Sequence, residues 1–258
     1  MPLTNKTALV CGSTSGIGRA SAEALATAGA RLLLLSRDAG RLATAARALP
    51  GSAAHSTLVA DLDDPAAAAG AVARWIGANG PVHILVNNTG GPPGGPIATA
   101  QPEAFVAAFR QHLLANHLLA QAVIPGMRAA GYGRIINIVS TSVKQPLPGL
   151  GVSNTTRGAV ASWAKTLAGE LGRDGITVNN VLPGATQTGR LDQVIANRAA
   201  ATGRSVAEIT DEMVREIPLG RIGTPAEIAA AVLFLASPAA SYITGVSLPV
   251  DGGRITAL

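Results

Sequence analysis

The sequence predicts an α/β fold: one doubly wound parallel sheet of about seven strands with helices on both faces. Three observations lead there. Short apolar runs alternate with Ala-rich stretches of helical length along the whole chain. The runs are continuous in Val, Ile and Leu, as strands covered on both faces are. Strands separated by helices pair in parallel, because each crossover carries the chain back to the same end of the sheet.

The expected strands are 7–11, 31–36, 56–60, 82–87, 134–139, 177–182 and 246–250. Helical stretches between them include 16–28, 65–78, 102–130 and 156–172. We find no repeat and no long linker, so residues 1–258 read as one domain. The segment 189–219 is polar, helix-forming and outside the sheet rhythm, which predicts a mobile lid over the site.

With 48% hydrophobic residues, the chain can bury a sizeable core. No uncharged apolar run approaches the roughly 20 residues a membrane helix needs. The opening Met1–Thr7 lacks a basic segment followed by a long apolar one, so no secretory signal is expected. Cys11 is the only cysteine, which leaves no internal disulfide and no cysteine-based metal site. The expectation is a cytoplasmic protein with no membrane partner and no metal. The net charge of +5 comes from scattered Arg, and two Trp, two Tyr and three Phe are too few for a stacking platform, so no nucleic-acid partner is expected.

The first strand runs into Cys11-Gly-Ser-Thr-Ser-Gly-Ile-Gly18, and a helix follows at once. Gly12, Gly16 and Gly18 let the backbone turn tightly and approach a pyrophosphate. The helix start, with Ser13, Ser15 and Ile17 around it, supplies free N–H groups and partial positive charge. Such a loop, in this place, predicts a Rossmann-type dinucleotide site. The second strand ends in Ser36-Arg37. An acid there would hold a ribose 2′-hydroxyl, whereas Arg37 suits a 2′-phosphate, which favours NADP(H) over NAD(H). Asp61 and Leu62 are placed to flank the adenine, although Asp61 alone could be a helix cap. Asn87-Asn88-Thr89-Gly90 would approach the adenosine side, with Asn88 and Gly90 touching the cofactor.

Together these residues resemble the short-chain dehydrogenase/reductase family, over essentially the whole chain. The glycine loop is similar to that family's first motif and Asn87–Gly90 to its second. Arg134–Ser140 resembles the strand leading to the catalytic serine. Asn179-Asn-Val-Leu-Pro-Gly184 with Thr188 resembles the segment around the nicotinamide, which brings in Pro183, Gly184 and Thr188. Tyr242–Gly245 and Val250–Gly253 look like the last strand and its surroundings. The resemblance implies an oxidoreductase acting on a carbonyl or alcohol, with 3-oxoacyl thioester reductases among similar proteins. It also implies a homotetramer or dimer paired through 102–130 and 156–172.

The chemistry departs from the family. Its usual set is Asn, Ser, Tyr and Lys, the last two four residues apart. Ser140 takes the serine position, but Ser153 stands for the tyrosine, Arg157 for the lysine and His112 for the asparagine. Tyr132 precedes the fifth strand and Tyr242 belongs to the last-strand motif, so neither replaces the missing ring. Serine is a far weaker acid than tyrosine, and Arg cannot relay protons as Lys can, although Arg157 can still bind the cofactor by holding its ribose hydroxyls and can stabilise negative charge. Three readings stay open. In one, His112, titrating near neutrality, or Lys144 is a rebuilt proton donor. In another, the chain is a pseudoenzyme that binds NADP(H) as a sensor or an oligomer subunit. In the third, Ser153 or water delivers the proton while Ser140 and Arg157 stabilise the oxyanion. His112 could equally be a structural histidine and Lys144 a solvated charge.

Overall fold

The computed structural model describes residues 2–51 and 54–257. Seven strands form one parallel sheet in the order β3-β2-β1-β4-β5-β6-β7. They are β1 (Thr7–Cys11), β2 (Arg31–Ser36), β3 (Ser56–Val59), β4 (Ile84–Asn87), β5 (Gly133–Ile138), β6 (Ile176–Pro183) and β7 (Ser247–Val250). The helices are α1 (Gly16–Thr27), α2 (Ala39–Ala48), α3 (Pro65–Asn79), α4 (Pro102–Phe109), α5 (Ala115–Ala129), α6 (Gly151–Leu171), α7 (Gly189–Thr202), α8 (Val206–Arg215) and α9 (Pro225–Ala236).

Alternation along the central strands divides the core in two. Ala8, Val10, Leu32 and Leu34 face Leu25 of α1, Leu42 of α2 and Val232 of α9. Leu9, Cys11, Leu33 and Leu35 face Val72 of α3, Leu119 and Val123 of α5 and Leu171 of α6. Double coverage explains the unbroken Leu and Val runs. The edges differ from that expectation: Thr57 and Val59 of β3 and Pro249 of β7 are exposed, because an edge strand has a neighbour on one side only and the helices cover the sheet's middle.

Helix starts follow local chemistry. Asp38 accepts from the Arg41 N–H at 2.9 Å, and Asp64 from the Ala67 N–H at 3.1 Å with Pro65 beside it. Thr224 and Glu227 close a capping box on α9. The expected helix 102–130 is interrupted: residues Arg110–Leu114 form one wide π turn between α4 and α5. α6 begins at Gly151, earlier than expected, and so holds both Ser153 and Arg157. A Cβ at Gly151 would lie 2.4 Å from that of Ile97, so only glycine lets α6 start there. The segment 189–219 contains α7 and α8, packed through Ile195, Ala199, Ile209 and Met213.

A polar ladder crosses the interior of the sheet. The Asn87 amide donates to Asn137 Oδ1 at 2.8 Å, Asn137 donates to Asn180 Oδ1 at 2.9 Å, and Asn180 donates to Ser247 Oγ at 3.1 Å. The pairing register sets these side chains opposite one another. All three asparagines are buried, so each amide depends on its neighbour for partners water would otherwise supply. Asn137→Leu is expected to leave the Asn87 amide and Asn180 Oδ1 unpaired and to cost roughly 3 kcal/mol. Urea unfolding checks this, and an unchanged midpoint would show that the ladder is dispensable.

Candidate active site

The carboxyl ends of β1, β4, β5 and β6 converge where the strand order changes direction, between β1 and β4. Ligands of open α/β sheets bind in that crevice. β1 ends at Cys11, buried with its thiol pushed up to about 12 by desolvation, hence inert. The chain then turns at Gly12 with φ +58°, and a Cβ on Gly18 would fall 2.2 Å from the Gly12 carbonyl oxygen. Asn88 stands over the turn and donates to the Cys11 carbonyl at 3.2 Å. Its amide thus shapes the loop.

Ser15 precedes α1 and makes no side-chain cap, which leaves the N–H groups of Gly16, Ile17 and Gly18 for an outside anion. This arrangement fits a dinucleotide phosphate. Ser13 does not fit the role expected of it. It is fully buried, and both its N–H and its hydroxyl go to the Leu35 carbonyl at 3.4 Å. Leu62 packs into the core beside α3, so its side chain is not offered to an adenine. Arg37 is exposed and sits 3.9 Å from Asp61, a loose pair that leaves the guanidinium available. Arg19 and Arg41 line a cleft with Thr14 next to the glycine loop. Across the loop, Thr188 caps α7, accepting from the Leu191 N–H at 3.3 Å, and its methyl would lie 3.1 Å from a Cβ on Gly16. Pro183 ends β6, and Gly184 passes so close to Asp251 that a Cβ would meet it at 2.7 Å. A Cβ on Gly90 would meet nothing within 4 Å.

Ser140 follows β5, and its hydroxyl oxygen accepts from the Ser142 N–H at 3.1 Å, leaving its own proton to donate. Arg157 projects from α6 to the same strand end, where Nη1 donates to the Ile138 carbonyl at 3.0 Å. Only 8% of Arg157 is exposed, and it has no carboxylate partner among the described residues. Burial and then the charge of Arg190 pull its pKa down to about 10, which still leaves it charged at neutral pH. Ser153 lies one turn earlier on α6, half-buried.

His112 occupies the wide turn before α5, is 1% exposed, and shares a hydrogen bond from Nδ1 with Thr89 Oγ1. Its Nε2 is buried without a partner. Desolvation, then the Arg157 charge, lowers its pKa from 6.5 to about 3. The expectation that His112 titrates near neutrality is therefore corrected: the imidazole is neutral in the working range. Lys144 is exposed, a solvated charge. Tyr132 lies at the opposite end of the sheet with its hydroxyl on the Ala236 carbonyl at 2.6 Å, and Tyr242 is fully exposed. Sequence reasoning missed Arg190 at the start of α7, which donates to the Pro92 carbonyl at 2.8 Å. It also missed Thr89 as the partner of His112. No local pattern marks either contact. Among the described residues no cluster of His, Cys, Asp or Glu could hold a metal, and no helix is long and apolar enough to cross a membrane.

Residues 12–254 match a family model described as enoyl-(acyl carrier protein) reductase. The chain is 38% identical over 255 residues to galactitol 2-dehydrogenase (L-tagatose-forming) of Cereibacter sphaeroides, covering 95% of this chain and 93% of that protein. It is 32% identical over 257 residues to gluconate 5-dehydrogenase of Gluconobacter oxydans, covering 99% and 97%. The structure of L-sorbose reductase from Gluconobacter frateurii, complexed with NADPH and L-sorbose, superposes with a TM-score of 0.93 at 32% identity, covering 100% of this chain and 99% of that one. These relatives bear the names of enzymes, so the pseudoenzyme reading finds no support in them.

The depressed His112 pKa has a stability consequence with a definite sign. Between about 3 and 6.5 the unfolded chain holds a proton that the folded chain refuses, so stability falls as pH drops through that window. By pH 5 the loss is about 2 kcal/mol. His112→Asn should flatten the fall in melting temperature between pH 7 and pH 5. An identical fall in both proteins would place the acid sensitivity elsewhere.

Proposed function

Because the chain belongs to the short-chain dehydrogenase/reductase family, we propose that it is an NADP(H)-dependent oxidoreductase acting on a carbonyl or alcohol of a small molecule, such as a 3-oxoacyl compound. The observation that carries this reading is the buried Arg157 guanidinium, anchored on Ile138 two residues before Ser140. It sets fixed positive charge where carbonyl reduction builds negative charge.

Gly12, Gly16, Ile17 and Gly18 hold the cofactor's pyrophosphate, and Ser15 stays out of the way as an uncommitted cap. Arg37 takes the 2′-phosphate, and Asp61 flanks the adenine. Asn88 and Gly90 line the adenosine side, and Pro183, Gly184 and Thr188 border the nicotinamide. When bound, the cofactor would supply hydride to a carbonyl carbon, whose oxygen then takes one proton, or would accept hydride from an alcohol whose hydroxyl gives up its proton. Ser140 donates a hydrogen bond to that oxygen, and Arg157 stabilises its charge. Neither gives up a proton readily, and a histidine lowered to about 3 is neutral at working pH, so its remaining N–H is no acid. The proton therefore comes from water reaching the half-buried Ser153, the third of the open readings. The segment 189–219 serves as the lid. The exposed Val106 and Leu114, at 58% and 50%, support pairing of copies through α4–α6 into a dimer or tetramer. We place the protein in the cytoplasm, consistent with its single buried thiol.

Two measurements test this. Arg37→Ala should weaken NADPH by roughly tenfold or more and leave NADH nearly unchanged, since one charge-assisted contact to phosphate is lost. Calorimetric titration of both cofactors decides, and equal wild-type affinities would defeat the 2′-phosphate assignment. Ser153→Tyr with Arg157→Lys should raise reduction of small diketones or 3-oxo esters by about 10²-fold or more, with either change alone doing less. A double variant no faster than a brisk wild type would mean that the chain owns another proton donor.

A further inference from the structure

Arg157 and Arg190 come from different elements, one buried in α6 and one exposed at the start of α7, yet both reach the space over Gly91 and the charge of one is felt by the other. A Cβ built on Gly91 would lie 3.6 Å from Arg190 Nη2 and 4.0 Å from Arg157 Nη2. Arg190 is fixed by the Pro92 carbonyl and Arg157 by the Ile138 carbonyl. No ion pair among the described residues includes either one. Close by, the Nε2 of buried His112 has no partner. Two facing guanidiniums repel, and burying one without a counter-charge is costly. Such an arrangement is stable in a working protein when an oxyanion completes it, and planar guanidiniums suit a carboxylate above other anions of that size.

We propose that Arg190 and Arg157 form a carboxylate-binding subsite, so that the substrate is an anionic oxo or hydroxy acid rather than a neutral ketone. This rests on the oxidoreductase reading above and adds the substrate's charge to it. Gly91 is part of the device: with no side chain, it leaves the space over which the two guanidiniums meet. The Pro92 carbonyl accepts from Arg190 at 2.8 Å and holds this exposed side chain beside Gly91, at the open side of the site. The neighbouring cleft of about 220 Å³, lined by Pro92, Gly94, Pro96 and Val152, is apolar and would receive the rest of a small acid.

The test uses the full chain saturated with NADP⁺ and a panel of 2-oxo and 3-oxo acids, each paired with its methyl ester. Binding to the NADP⁺ complex is read by calorimetry, and turnover is measured separately with NADPH in place of NADP⁺, by its oxidation. The acid should bind at least tenfold more tightly than its ester for some skeleton in the panel. Arg190→Ala should lower that ratio by ten- to a hundredfold, and Arg190→Lys should restore part of it. NADP⁺ affinity should stay within about threefold in Arg190→Ala. If no acid outbinds its ester, the subsite is overturned. If Arg190→Ala loses NADP⁺ affinity instead, the arginine serves the cofactor's phosphate and the proposal is equally overturned. Acid binding without turnover would leave the subsite standing and remove the oxidoreductase reading. Turnover of esters as fast as acids would do the reverse.

Discussion

The contact on which everything else depends is the approach of Gly18 to the carbonyl of Gly12, locked from above by Asn88. β1 must stop, turn and launch α1 within a few residues so that the helix start points along the carboxyl edge of the sheet. A single methyl at Gly18 would collide with the Gly12 backbone, which cannot move aside, as well as with the Asn88 amide. Asn88 leaves β4, the strand next to β1 across the switch in strand order, so the same amide that holds the turn also ties the sheet's two halves together. The crevice is therefore set by backbone sterics and one buried hydrogen-bond set, before any ligand contributes.

On that rigid floor the electrostatics lean strongly one way. Arg157 is buried, Arg190 approaches it, and both find only carbonyl oxygens. His112 responds as a neighbour of unbalanced positive charge must, by staying neutral. A tyrosine acid needs a cation to lower its pKa only moderately. A permanent guanidinium with no counter-ion would lower it further and favour the phenolate, which can no longer donate. Ser153 beside Arg157 is therefore a self-consistent pair: the cation is kept to hold negative charge, and the ionisable ring is absent.

Much of this was legible in the sequence for physical reasons. A parallel sheet covered on both faces leaves continuous apolar runs, and seven were readable. A phosphate loop leaves glycines where Cβ atoms cannot fit, and Gly12, Gly16 and Gly18 could be placed. Ser140 followed from its strand. What escaped depended on spatial neighbours. Ser13 looked like a loop donor, but the loop turns it toward Leu35. His112 read as titratable because a free imidazole is, and only its burial beside Arg157 shows that it is not. The wide turn at Arg110–Leu114 has no signature in a helical Ala and Leu pattern. Arg190 looked like one more charge in a polar segment until the fold brought it to Gly91.

The position of Arg190 joins two properties that are otherwise separate. α7 and α8 have a small apolar cluster of their own and cohere through Arg198 and Arg204 on Glu212, so they can shift as a unit at little internal cost. Contacts that tie the segment to the rest of the chain include Thr188 against the glycine loop, Arg190 on Pro92, Arg254 on Glu216 at the end of α8, and the Leu219 N–H on the Gly252 carbonyl. The first two of these lie at the proposed ligand sites. An anion seated between the guanidiniums would cancel their repulsion and draw α7 inward through Arg190, while a cofactor against Thr188 would hold the same helix from the other side. If 189–219 closes as proposed, charge recognition and closure would be one event, because Arg190 would both read the substrate's charge and anchor that segment.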